Sequence, residues 1–353
     1  MRPSPLARYL LVAFALLIVY ASLHPFAGWR DAGVAPLAFL FAPLPRYITA
    51  FDIAANVFGY APLGFLAVLA FFPALRGTAA VIAALLFAAG LSLSLEVLQN
   101  YLPSRITSNL DLAANSFGAL LGAAVGAQYS AGLLGDDGLH ALRQRLFRPG
   151  GRIDLGLVLI GLWLTSQLNP ATLLFGAGDL RELLHRPSGE LHTPDVFIRF
   201  EAAIVGASTI AVGLLATALV ARGQPARRIV VTLLVSAFVV RTFAFGVLFS
   251  PQDMLVWITP GAIIGVVGGT LACIAAAALP RPGRLALSAL ALMAATVLVN
   301  LAPENPYLAA SLAVWRQGYF LNFNGLTRIV SAAWPFAALL YLMLLSGERG
   351  RGA

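Results

Sequence analysis

Apolar residues run through this chain in long continuous stretches rather than in alternation. About ten of them approach the ~20 residues that a spanning helix needs. They fall at roughly 6–23, 51–72, 78–99, 110–130, 154–174, 199–221, 229–249, 254–279, 285–302 and 328–346. Lipid admits only helices and closed barrels, and barrel strands alternate, so the runs read as helices. The pattern predicts an all-α fold, a polytopic integral membrane helical bundle of about ten transmembrane helices. The sharpest break is at residues 135–153, where Gly-Asp-Asp-Gly is followed by an arginine-rich stretch with Pro and Gly. It divides the chain into a four-helix membrane unit (1–134), a cytoplasmic basic linker (135–153) and a six-helix membrane extension (154–353). The first run has Arg2 and Arg8 nearby, but Ala21-Ser22-Leu23-His24 is a poor cleavage site, so it reads as a retained span.

Composition agrees with a membrane protein. The chain is 59% hydrophobic and 11% charged, with a mean hydropathy of +0.85, where a soluble domain carries about 25% charge. The formal net charge of +8 comes from 23 basic residues, all arginine. In a polytopic protein this charge sets orientation and does not imply nucleic acid. With the spans alternating, the larger share of the arginines falls on the side of the N-terminus. That predicts a multi-pass protein of the cell inner (plasma) membrane with both termini cytoplasmic. The basic linker reads as a positive-inside loop, with contact to anionic headgroups as the alternative. The single cysteine, Cys273, excludes an internal disulfide framework.

The candidate chemistry starts from a repeat. Residues 52–59 read Asp-Ile-Ala-Ala-Asn-Val-Phe-Gly and residues 111–118 read Asp-Leu-Ala-Ala-Asn-Ser-Phe-Gly. Positions i, i+4 and i+7 share one helix face. Asp52, Asn56 and Gly59 therefore form one stripe, Ser92, Glu96 and Gln99 a second, and Asp111, Asn115 and Gly118 a third. The alternating topology puts all three stripes at the same, outer, depth. Arg105 lies in the short connection between Gln99 and Asp111, where it is expected to face the carboxylates. Polar groups at membrane depth turn toward a bundle interior or cavity. The alternative is that Asp52 and Asp111 are helix caps and that Glu96 and Gln99 reach for the interface. Pro62 frees the carbonyl of Phe58 and predicts a bend beside the first stripe.

Other positions complete the picture. Gly118, Gly122 and Gly126, and again Gly261, Gly265 and Gly269, recur every four residues, a spacing for close helix packing within the monomer or along a dimer seam. The sequence leaves the oligomeric state open. Arg241 lies within a span, where Glu201 of the previous helix is expected as its partner in a structural ion pair. Gln167, Asn169 and Asn300 cluster toward outer helix ends, to extend the polar site or meet headgroups. In the 175–198 loop, His185 and His192 do not have a metal-ligand spacing, and neither a metal nor another cofactor is implied.

Asn56 with Pro62-Leu63-Gly64, then Ser92, Glu96, Gln99, Arg105, Asp111, Asn115 and Gly118, resemble the VanZ-like family over about residues 50–127. That family is named for an accessory protein of glycopeptide-resistance clusters linked to teicoplanin resistance. The resemblance implies an integral membrane protein of the cell envelope and supplies no reaction. Small family members end after this region, whereas this chain continues for six more spans.

Three classes of function fit. The first is binding: an outer-leaflet pocket for a lipid headgroup, a lipid-linked cell-wall precursor or a lipophilic glycopeptide, with a link to antibiotic resistance. Membrane lipids are then the partners. The second is an intramembrane enzyme with Glu96 or Asp111 as base and Arg105 stabilising negative charge. No nucleophile motif accompanies it. The third is a secondary transporter, supported by the repeat, the number of spans and Arg241.

Overall fold

A computed structural model describes residues 4–31, 33–44, 49–135, 138–181, 184, 193–249, 251–303, 305 and 321–347. The described residues form eleven α-helices and no strand. Among the described residues, eight helices are long and apolar enough to cross a membrane. The chain divides into two compact units, Met1–Val158 and Leu159–Ala353.

The first unit holds α1 (Pro5–Leu23), α2 (Ala50–Phe71), α3 (Gly77–Gln99), α4 (Asn109–Leu134) and the short α5 (Leu139–Leu146). Its core is built from one face of each long helix, including Leu11, Leu63, Ala67, Ala84, Ala88, Ala119 and Ala123. Pro62 lies inside α2, which is helical on both sides of it. The glycine stripe of α4 packs on α2. A Cβ at Gly118, Gly122 or Gly126 would meet the backbone of Val57, Ala61 or Phe65. These contacts advance together along both helices, so α2 and α4 run parallel at backbone contact, which only small residues allow. The 135–153 segment, expected as a linker, contains α5. Arg143 on α5 pairs with Asp154 at 2.6 Å.

In the second unit α6 (Gly151–Ser166, shared with the first) is followed by α7 (Pro194–Leu219), α8 (Ala226–Leu248), α9 (Pro260–Ala276), α10 (Arg281–Leu301) and α11 (Leu321–Ser346). Two expected spans are shorter than the apolar runs suggested. The run at 154–174 stops being helical at Ser166. Pro170 cannot continue a helix and disfavours helical backbone before it. The Gln167 and Asn169 side chains also compete for backbone, accepting from the amides of Phe175 (3.1 Å) and Ala171 (3.0 Å). The run at 254–279 becomes helix α9 only at Pro260, in the first turn, where a missing N–H costs nothing. Thr259 caps it, accepting from the Ala262 amide at 3.2 Å. The α9 stripe of Gly261, Gly265 and Gly269 packs on α7 between Ile198 and Thr209, again in parallel. Both glycine stripes are therefore used inside the chain. His185 and His192 lie outside the described residues.

Candidate functional site

The polar stripes of the first unit meet at one end of its bundle. Each repeat Asp sits three residues after a hydroxyl cap. Thr49 caps α2 and Ser108 caps α4, accepting from the amides of Asp52 (3.1 Å) and Asp111 (3.3 Å). Asp52 and Asp111 are thus not the capping residues themselves. They occupy the position from which an acid reaches back in a capping box.

In the first copy the acid stays with its own cap, through the side chain rather than the backbone amide. The Thr49 hydroxyl donates to Asp52 Oδ2 at 2.6 Å. At α4 the backbone donor that a capping box uses, the amide of Ser108, goes to Glu96 Oε2 at 2.9 Å. Glu96 arrives from α3 and takes the role that Asp111 would have had. Asp111 turns to the other copy of the repeat, where Asn56 Nδ2 donates to its Oδ1 at 3.0 Å. One turn deeper, Asn115 Nδ2 donates to Ser92 Oγ at 2.9 Å. The hydroxyl of Tyr60, one turn below Asn56, reaches Ser92. The sequence stripes did not include Tyr60, although its i+4 spacing from Asn56 was the available signal.

Exposure falls along this cluster. Asp52 is exposed, Asn56 and Asp111 are half-buried, and Ser92, Glu96 and Asn115 are buried, with Glu96 4% exposed. The carboxylates act electrostatically on one another, Asp111 on Glu96 and Asp52 on Asp111.

Arg105 and Gln99 are drawn elsewhere. Arg105 donates to the carbonyls of Ala21 (3.1 Å) and His24 (2.6 Å), and Gln99 Nε2 to that of Ser22 (2.8 Å). Both side chains close the C-terminal end of α1, whose last carbonyls have no partner within the helix. Burial pushes the Arg105 guanidinium below its ordinary value. Where Arg105 is expected to face the carboxylates, these two hydrogen bonds go instead to carbonyls at the end of α1, which need donors there.

In the second unit Arg241 is 1% exposed. Its guanidinium donates to the carbonyls of Asn169 (2.5 Å), Gln167 (3.4 Å) and Thr172. It also stacks over Phe245 at 5.0 Å. Glu201 acts on it electrostatically, but no hydrogen bond or ion pair joins the two among the described residues. Glu201 instead faces the Thr259 hydroxyl and the Ala262 amide at the start of α9. The expected direct ion pair is thus replaced by two helix-end contacts. Gln167, Asn169 and Asn300 organise backbone: Asn300 accepts from the Leu180 amide and donates to the Gly178 carbonyl.

Residues 7–128 match the family model VanZ/LLP1. The match takes in α1, which the motif residues alone did not reach, and stops within α4. No curated protein and no solved structure matches the chain.

Proposed function

We propose that the chain is a multi-pass protein of the cell inner membrane that binds an envelope ligand through the polar end of its VanZ-like unit. The ligand is a lipid headgroup or the headgroup of a lipid-linked wall precursor, and a lipophilic glycopeptide is the alternative occupant. Both termini are cytoplasmic, so the polar end faces outward. The observation that carries the reading is the convergence of Asp52, Asn56, Glu96, Asp111 and Asn115 at the same end of one bundle, graded from exposed to buried. Caps alone do not require Asn56 or Asn115 a turn deeper. The family resemblance adds the envelope setting and the link to antibiotic resistance.

The test is native mass spectrometry of protein taken from membranes, wild type beside the double variant Glu96→Gln, Asp111→Asn. Both changes keep a hydrogen-bond acceptor in place. A defined lipid or lipid-linked precursor retained by the wild type and lost from a variant of equal melting temperature supports the reading. Identical lipid profiles reduce the cluster to a structural polar core.

One observation favours a second reading, secondary transport. The backbone after Ser166 leaves the helix inside the second unit and is held by a buried arginine. Non-helical backbone held inside the protein is a feature of transporter sites. Solute counterflow in proteoliposomes, abolished by Arg241→Ala in a folded protein, is its test.

A further inference from the structure

The polar end of the first unit is rich in acceptors, and its strong donors are already engaged. Asn56 gives an amide N–H to Asp111, Asn115 gives one to Ser92, and Arg105 is turned to the end of α1. Asp52, Asp111 and Glu96 each use one oxygen in the bonds described above and bring a second as a further acceptor.

A second observation is independent of the carboxylates. Asn115 is 6% exposed, and its Oδ1 has no hydrogen-bond partner. Its Nδ2 is held on Ser92, one turn in from Glu96, while its own backbone lies one turn in from Asp111. Asn115 therefore bridges α4 to α3 one turn below Asp111 and Glu96, and its unpartnered oxygen is buried at that level. A buried acceptor without a donor is costly, and such exceptions call for a missing partner.

Resting on the binding role proposed above, we infer that this end of the bundle receives a protonated amine, with Asp52 at the mouth, Asp111 and Glu96 as counter-charges and Asn115 Oδ1 as a neutral acceptor at the base. An ammonium group supplies three donors and one positive charge, which is what the site lacks. A metal ion fits less well, since among the described residues no three His, Cys, Asp or Glu side chains stand close enough to hold one. The amine comes either from a membrane lipid headgroup or from a soluble amine, and the two share this chemistry.

The experiment titrates the full-length protein in detergent with four probes. These are short-chain phosphatidylethanolamine, its N-acetyl derivative, short-chain phosphatidylglycerol and free ethanolamine. Binding is read by calorimetry, and the wild type needs no variant for the decisive comparison. The expected result is that phosphatidylethanolamine binds at least about tenfold more tightly than its N-acetyl form, the worth of one charge-assisted hydrogen bond. Asp52→Asn, at the exposed mouth, narrows the gap in affinity between phosphatidylethanolamine and its N-acetyl form. Free ethanolamine binding as tightly as the lipid also supports the inference and identifies a soluble source. Equal binding of all three lipids, lost in Asp111→Asn, overturns the amine while the headgroup reading stands. No binding of any probe to the wild type overturns the amine, and the native lipid profile then decides the headgroup reading separately.

Discussion

The two units solve the same packing problem and treat their charges differently. In each, a helix with glycine at every fourth position lies parallel to an earlier helix at backbone contact, α4 on α2 and α9 on α7. In each, a buried glutamate faces the start of the glycine helix: Glu96 at the Ser108 amide, Glu201 at Thr259 and Ala262. In each, an arginine holds carbonyls at or just past the end of the leading helix, Arg105 at α1 and Arg241 at α6. The first unit then adds Asp52, Asn56, Asp111 and Asn115 at that end. The second adds a buried, non-helical backbone segment instead. Helix ends explain a glutamate and an arginine in each unit. They do not explain the extra carboxylates and amides, which is why the binding role is proposed for the first unit.

The largest expected effect tests whether the arginines are comparable. Arg241→Ala strands the Asn169 and Thr172 carbonyls in a buried segment and should cost about 4 kcal/mol, against about 2 kcal/mol for the half-buried Arg105→Ala. Thermal unfolding in detergent measures both. Equal costs would break the distinction between a fully buried and a half-buried helix end. Arg241→Lys should recover only part of the loss, because an ammonium cannot fork between several carbonyls.

Next come the glycine stripes. Gly122→Leu in the first unit and Gly265→Leu in the second should each destabilise by about 3 kcal/mol, since a side chain there meets backbone. Gly268→Leu, with nothing within 4 Å, is the control and should leave the melting temperature nearly unchanged. A large loss in one unit alone would show that only one of the parallel pairs is tightly packed.

Glu96→Ala should cost about 2 kcal/mol by leaving the Ser108 amide unpaired, while Glu96→Gln, which keeps an acceptor, should cost less than half of that. Chemical denaturation of both variants checks it. If the two match, the hydrogen bond is not what Glu96 supplies. The smallest effect on stability belongs to Asp52→Asn, within about 0.5 kcal/mol for an exposed side chain. That variant should still lose bound ligand in native mass spectrometry, which separates function from stability at this end of the bundle.

Much of the architecture was legible because its causes are local. Continuous apolar runs predicted the helices, and the spacing of Asp52, Asn56, Ser92, Glu96, Asp111 and Asn115 placed each on a single face. The runs misled at 154–174 and 254–279. There Pro170 and Pro260, with the polar side chains around them, outweighed hydropathy and set where helix could form. Arg241 was visible as an outlier, but its acceptors were not. They are backbone carbonyls, which carry no signature in the sequence.

By itself the sequence determined the number and order of apolar helices, the glycine stripes that let two pairs approach, and the faces on which polar groups lie. All of these follow from helical period and side-chain size. Only the tertiary structure decided the partners. It set Glu96 against the Ser108 amide, which displaced Asp111 from its own capping box and sent it to Asn56 of the other repeat. It also drew Arg105 to the end of α1 and left Asn115 Oδ1 open. A buried polar group takes whichever complementary group packing brings within hydrogen-bond distance, and that neighbour is fixed by how α1, α2, α3 and α4 assemble rather than by any spacing along the chain.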